Sequence, residues 1–482
     1  MTDQLAWRDG AAATASGRQP SAVDQHRAHY NLTFVILTLA GIAFALLQSL
    51  VAPALRTIQE DLHTSTTAVA WVFTGYLLSA SVATPIVGRL GDMFGKKRML
   101  VVTLAVVALG TVVAALATSI GVMIVGRAIQ GAGGAIFPLA FAIIRDEFPR
   151  ERVATGIALI SALLGVGGGL GIVLSGPITE HLSYHWLFWF PLVAVVAAGV
   201  AAQLVIPESP IRSPGRVDWT GALLLSAWLV ALLIGVSEAP AWGWGSPRVL
   251  VLFTAAAALL VVWVRVEERI RAPLVDMRMM RLHAVWTTNL TALLLGFGMY
   301  SSFILIPEFV ELPAPVGFDA SVTQAGIFLL PATLGMLFVG PAAGRLATSV
   351  GAKVPLVAGC LLTALAYALL AAEHGSRWKI YACTALMGAG IGFAFGAMAN
   401  LIVAAVRPEE TGVATGMNTI VRTIGGSLGS QISASVVAGA TDGDFTTAFA
   451  LAAAVVAVSF VVSLSVPARE RRATIELVRS PS

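Results

Sequence analysis

The sequence predicts an all-α membrane protein of fourteen transmembrane helices, two six-helix halves with two further helices inserted between them. Three observations lead there. Hydrophobic residues make up 57% of the 482 residues and charged residues only 12%, about half the charged share of an ordinary soluble protein. Apolar runs of roughly 20 residues, long enough to cross a hydrocarbon core as helix, recur from about residue 33 to about residue 466. Finally, two short motifs of the first half return in the second at nearly the same offset, which argues for an internal duplication.

Residues 1–32 are polar and Ala/Ser/Gly-rich and are expected to be a disordered cytoplasmic tail, with no apolar segment of the kind that marks a removable signal peptide. Spans near 33–53, 69–88, 99–118, 121–143, 154–176 and 185–206 form an N-terminal bundle, 33–206. Spans near 219–237 and 249–266 form the inserted pair within 207–284. Spans near 285–307, 323–343, 354–372, 379–405, 414–437 and 446–466 form the C-terminal bundle, 285–466, followed by a cytoplasmic tail, 467–482. Trp71, Trp242, Trp244 and Trp378 fall near the outer span ends and Trp219, Trp263 and Trp286 near the inner ones, where an amphipathic ring is favoured.

Charge sets the orientation. Of the 30 Lys and Arg, only Arg56, Arg248, Arg377 and Lys379 fall on the outer side, and Arg127 and Arg422 fall within spans. The rest lie on one side, which the positive-inside rule makes cytoplasmic, as are both termini. The pI of about 9.3 therefore reflects topology, and no nucleic-acid partner is expected, since phosphate-binding cations cluster on a soluble face. Cys360 and Cys383 lie in spans and read as small buried hydrophobes. No metal and no cofactor are expected: there is no phosphate-cradling glycine run, no His/Cys cluster and no Ser/His/Asp layout, so an enzyme is unlike this chain. A sensor would need an output module that the longest cytoplasmic connection, about 267–284, has no room for.

The most informative stretch is 88–98, Gly-Arg-Leu-Gly-Asp-Met-Phe-Gly-Lys-Lys-Arg. Its glycines permit a sharp reversal, and Lys96, Lys97 and Arg98 hold it at the cytoplasmic surface. Gly88, Arg89 and Gly95 return as Gly344, Arg345 and Gly351, whereas Asp92 corresponds to Thr348. Independently, Val153-Ala154-Thr155-Gly156 returns as Val413-Ala414-Thr415-Gly416. Asp92 is expected to face the positive start of span 13 near Gly412 and act as a conformational latch; its other reading is neutralisation of Arg89 or Lys96 within the turn.

Arg127 and Arg422 are charges inside spans, which by default mark functional positions. Arg127 is expected to serve the central cavity or a relay toward cytoplasmic groups, with Gln130 and Gly131 following it. Span 5 carries Gly165, Gly167, Gly168, Gly169, Gly171, Gly176 and Pro177, which allow close helix approach and a hinge; plain packing is the alternative. Gln48, Asn289, Tyr300, Asn400, Asn418 and Gln431 are candidates for lining a substrate cavity. No Asp, Glu or His lies well inside a span, so the proton-coupling candidates are Glu308, Glu311, Glu180, His181 and His185, all at outer ends. Two arginines without an acid describe an electropositive cavity suited to anionic or zwitterionic substrates.

On these residues the chain resembles the major facilitator superfamily, and within it the 14-span drug:proton antiporter family, over nearly everything after residue 32. Residues 88–98 resemble the loop motif between spans 2 and 3, Arg127, Gln130 and Gly131 the span 4 motif, and the span 5 glycines the antiporter motif. Two departures stand out. Gly171-Ile172 replaces the expected Gly-Pro, and Leu47 occupies the place of an aspartate usual in span 1. The resemblance implies the major facilitator fold and a secondary active transporter that exports small amphipathic compounds by alternating access in exchange for protons. Its partners would be a small-molecule substrate, protons and the lipid bilayer, and the chain a monomer in the cell membrane. The missing acid keeps open a facilitator or dedicated metabolite exporter without classical proton coupling.

Overall fold

Long apolar runs leave the backbone no hydrogen-bond partner but itself, so they become helices. A computed structural model describes residues 22–51, 53–209, 218–270 and 273–467, and among these every regular element is helical. The long helices are α1 (Ala22–Ser49), α2 (Thr66–Phe94), α3 (Lys96–Ala115), α4 (Ile120–Glu147), α5 (Arg150–His181) and α6 (Trp186–Val205). The inserted pair is α7 (Trp219–Trp242) and α8 (Pro247–Glu267). Then follow α9 (His283–Glu311), α10 (Val322–Val350), α11 (Lys353–Ala372), α12 (Arg377–Ala405), α13 (Thr411–Val436) and α14 (Asp442–Ser465). Thirteen are long and apolar enough to cross a membrane. The exception, α13, has the 26 residues a crossing needs but is rich in Gly, Ser and Thr, because its place is the bundle interior, where small residues let helices approach.

The start of α1, the stretch 88–98 and the setting of Trp263 differ from expectation. Helix α1 starts at Ala22, inside the segment expected to be tail; residues 1–21 and 468–482 lie outside the described residues. The stretch 88–98 is not an open turn: α2 continues to Phe94, α3 starts at Lys96, and the reversal is confined to Gly95 at φ +113°. Gly351 repeats this between α10 and α11 at φ +94°. Only glycine takes that region without strain, which is why these two positions survive in both copies of the motif. Trp263 is also no surface anchor; it is buried beside Trp228 and donates its indole N–H to Glu267 at 3.0 Å.

The duplication is visible in the packing. In the first bundle α1 packs on α5 and α6, α2 on α4, and α3 on α4 and α6; in the second α9 packs on α13 and α14, α10 on α12, and α11 on α12 and α14. Each bundle has its own apolar core. The bundles meet along two related seams, α5 with α10 and α2 with α13. Helix α7 lies along the second seam, touching both α2 and α13, with the Thr74 and Ser237 hydroxyls 3.0 Å apart, and α8 packs on α7.

Candidate functional site

Where the bundles face each other, a cavity of about 30 Å³ opens near the middle of the helices. Phe44 and Gln48 of α1, Tyr76, Ser81 and Thr84 of α2 and Phe137 of α4 line it from one bundle; Tyr300 of α9 and Thr419, Arg422 and Thr423 of α13 line it from the other. The Gln48 amide donates to the Tyr300 hydroxyl across the interface at 3.1 Å. A second, smaller cavity of about 10 Å³ is lined by Phe137, Phe141, Ser161, Ala399, Thr415, Asn418 and again Arg422. Spaces this small hold a water or two, so the bundles are drawn together around the site. Neither lining contains a carboxylate or a histidine.

At the end bearing residues 88–98 the two bundles are tied. Asp92, 1% exposed, accepts the backbone N–H of Val413 at 3.3 Å, in the first turn of α13. Gly88 is a close approach: a Cβ there would stand 2.7 Å from the Gly412 carbonyl oxygen. The counterpart contact sets Gly344 of α10 on Thr155 of α5, where a Cβ would stand 2.6 Å from the Thr155 Cα. Each copy of one repeated motif thus packs on the other motif's copy from the opposite bundle. Arg145 adds a tie that sequence reading missed, donating to the carbonyl of Val406 at 2.9 Å and to the Thr411 hydroxyl at 2.5 Å. Its only signal was its place in the Arg145-Asp146-Glu147 run closing span 4.

Lys96 was expected at the surface and is buried instead, its Nζ 2.5 Å from Asp146 Oδ2 with both side chains 1% exposed. The Ser209 hydroxyl also donates to that oxygen. Lys97 is half-buried and Arg98 exposed, and the Arg98 N–H donates to Glu208 at 3.2 Å. Arg89 is half-buried on the same stretch.

Arg127 lines neither cavity and reaches none of the groups near residue 92. It braces the first bundle from within: Nε donates to the Val72 carbonyl at 3.2 Å, Nη1 to the Leu47 carbonyl at 2.9 Å and to Gln130 at 2.8 Å, and the guanidinium lies 4.3 Å from the centre of the Tyr76 ring. Gln130 in turn donates to Thr111 at 2.9 Å. A Cβ on Gly131 would stand 2.6 Å from that of Ser79, which keeps α4 close to α2. Carbonyls from three directions need a planar fork of donors, so Arg127→Lys is expected to lower stability by about 1–3 kcal/mol, read as a lower thermal unfolding midpoint.

The glycines of α5 set two contacts along an unbroken helix through Pro177. Cβ atoms on Gly167 and Gly171 would collide with Ala45 and Ser49 of α1, and on Gly169 and Gly176 with Thr333 and Thr323 of α10. Gly168 faces Phe303 at 3.6 Å, and the packing of Gly165 lies outside the described residues. The Ser49 hydroxyl donates to the Gly167 carbonyl at 2.9 Å. α5 is therefore packed closely against both bundles along its length.

Of the expected cavity residues, Gln48, Tyr300 and Asn418 are in place. The Asn289 side-chain carbonyl accepts from the Asn418 amide at 2.9 Å while its own Nδ2 is buried without a partner; Asn400 donates to the Ala154 carbonyl at 3.0 Å; Gln431 lies further along α13. None of these three lines either cavity. The five proton-coupling candidates also stand away from it. Glu308 and Glu311 are exposed at the end of α9, Glu180 accepts from Thr323 at 3.0 Å, His181 is exposed, and His185 stacks on Tyr184. Helix ends lie far from the midplane, so acids and imidazoles placed there by their solvation cannot reach a midspan cavity.

The sequence and the fold of the two bundles match known proteins. The sequence model described as Major Facilitator Superfamily matches residues 37–430. The tetracenomycin C resistance and export protein of Streptomyces glaucescens is 29% identical over 79% of this chain and 71% of its own. A multidrug resistance protein B homolog of Mycobacterium tuberculosis is 30% identical over 75% of this chain and 68% of its own. Among solved structures, a proton:xylose symporter superposes with a TM-score of 0.67 at 13% identity, over 92% of this chain and 97% of its own. A human organic anion transporter gives 0.64 at 17% identity, over 92% and 100%; at such identities the likeness is one of fold. With its twofold repeat, its inter-bundle cavity and this match over most of its length, the chain belongs to the Major Facilitator Superfamily and is a membrane transporter, not an enzyme.

Proposed function

We propose that this protein exports small amphipathic compounds by alternating access of its two bundles. The observation that carries the reading is the midspan cavity built jointly by α1, α2 and α4 on one side and α9 and α13 on the other. Rocking two halves about such a site exposes it to each side in turn. Relatives named for drug resistance and export support the substrate type and the direction. In this reading the face bearing Lys96 to Arg98 is cytoplasmic, both termini lie there, the protein works as a monomer in the cell membrane, and Asp92 latches the state in which that face is closed.

The resemblance implies exchange against protons. A lining without carboxylate or histidine favours the second reading, an exporter of the same fold without classical proton coupling. Purified protein in proteoliposomes, given a panel of neutral, cationic and anionic amphiphiles with and without an imposed pH difference, is expected to show saturable flux. Accumulation against a gradient only when the pH difference is present supports antiport, flux indifferent to it supports the second reading, and no flux of any compound overturns the transporter assignment of this cavity.

A further inference from the structure

Arg422 is a cation in the middle of a span, at the junction of the two cavities, with no acid to answer it. It belongs to none of the ion pairs among the described residues. Its guanidinium carbon lies 4.6 Å from the centre of the Phe395 ring, and Tyr300 shares the larger cavity with it. A charge held in a low-dielectric site without a counter-ion favours a ligand of opposite sign. The rest of the lining agrees: Thr419, Thr423 and Gln48 add uncharged polar groups, and Phe44, Phe137 and Tyr300 add rings.

A second observation comes from the opposite bundle. Tyr76 is fully buried, its ring lies under Arg127, the residue lines the larger cavity, and its hydroxyl has no hydrogen-bond partner. The Ser81 hydroxyl of the same lining is likewise buried without a partner, and unsatisfied buried donors gathered at one site point to a group that arrives later. Arg127 gives Nε and Nη1 to carbonyls outside the cavity and keeps a buried, unpartnered Nη2 behind the Tyr76 ring, so Arg422 is the cation of the lining itself.

We propose that this site, once the bundles part from the drawn-together arrangement whose cavity is about 30 Å³, takes amphipathic aromatic monoanions, a carboxylate or phenolate on a ring system, with the anion held by Arg422 and a second oxygen by the Tyr76 hydroxyl. This rests on the reading of the cavity as the substrate site. Because Arg422 is on α13 and Tyr76 on α2, the bound anion ties both bundles. An anion leaving the cell also moves with an inside-negative potential, so it needs no titrating acid within the spans, in keeping with Leu47 in α1.

The test compares three probes that share one ring system: 9-anthracenecarboxylate, 9-anthracenemethanol and 9-(aminomethyl)anthracene, as saturable binding to, and flux through, the reconstituted full chain, with empty vesicles as background. The carboxylate is expected to bind at least about tenfold tighter than the ammonium compound. Arg422→Gln should remove that advantage, with an unfolding midpoint close to the wild type showing that the variant is folded; Arg422→Lys should keep part of it, and Tyr76→Phe should weaken the carboxylate more than the alcohol. Equal or tighter binding of the ammonium compound, or wild-type carboxylate affinity in Arg422→Gln, overturns the proposal and leaves the transporter reading standing. If no probe binds while other amphiphiles are transported, the proposal alone falls; if nothing is transported at all, both fall.

Discussion

Replacing Lys96 by methionine is expected to cost about 3–5 kcal/mol of stability, the penalty of leaving a buried partner charge alone. The partner is Asp146, and each side chain is 1% exposed. Its Oδ2 would keep only the Ser209 hydroxyl, and its Oδ1 is buried without any partner already. Lys96 opens α3 and Asp146 closes α4, so the loss falls where two helices of the first bundle are pinned beside the inter-bundle contact. The double variant Lys96→Met/Asp146→Leu should recover most of the loss, because the desolvation penalty leaves together with the attraction. Thermal unfolding midpoints in one detergent check both; a single variant melting with the wild type would mean that water reaches the pair.

Asp92→Asn is expected to shift the balance between the two access states about 10- to 100-fold away from the arrangement seen here, in which the face bearing residue 92 is closed. Asp92 accepts the Val413 N–H in the first turn of α13, and a hydrogen bond to a charged group contributes about 1.5–3 kcal/mol, to which the helix N-terminus adds a little. The amide keeps the shape and loses the charge. Gly88→Leu should act further in the same direction, since even a Cβ at this position meets the Gly412 carbonyl at 2.7 Å. The second bundle has Thr348 where Asp92 would repeat, and its hydroxyl donates back to the Arg345 carbonyl of its own helix, so the charged tie acts at one seam only. Pairs of spin labels on the facing ends of α2 and α13, read as distance distributions, report the shift, together with transport rate; unchanged populations and rate in both variants would remove Asp92 from the switching contact.

Some of the site could be read from the chain alone and some could not, for a common reason. The approach of Asp92 to residues near Gly412 was expected because residues 88–98 resemble a superfamily loop motif and a helix start attracts a carboxylate. The partners of Arg127 were not, because they are the backbone carbonyls of Leu47 and Val72, and every residue has a carbonyl. Nor could polarity alone separate Asn418, which reaches a cavity, from Asn289, whose carbonyl accepts from Asn418, and Asn400, whose amide donates to a neighbouring helix. A helix buried on most sides shows little amphipathic pattern from which a facing direction could be inferred. Lys96 looked like a surface anchor because Lys so often is one, and its burial depends on Asp146, fifty positions along the chain.

Composition and chain order were enough for the helical spans, the inserted pair, the twofold repeat and the glycines at 95 and 351 that the reversals require. Those features arise from transfer free energy and backbone sterics, which act within a turn or a span. The cavity, its solitary Arg422 and the ties across the two bundles needed three-dimensional packing. They join residues as distant as Gln48 and Tyr300, 252 positions apart, or Asp92 and Val413, 321 apart, and whether a buried polar group is satisfied depends on what the opposing helix sets against it.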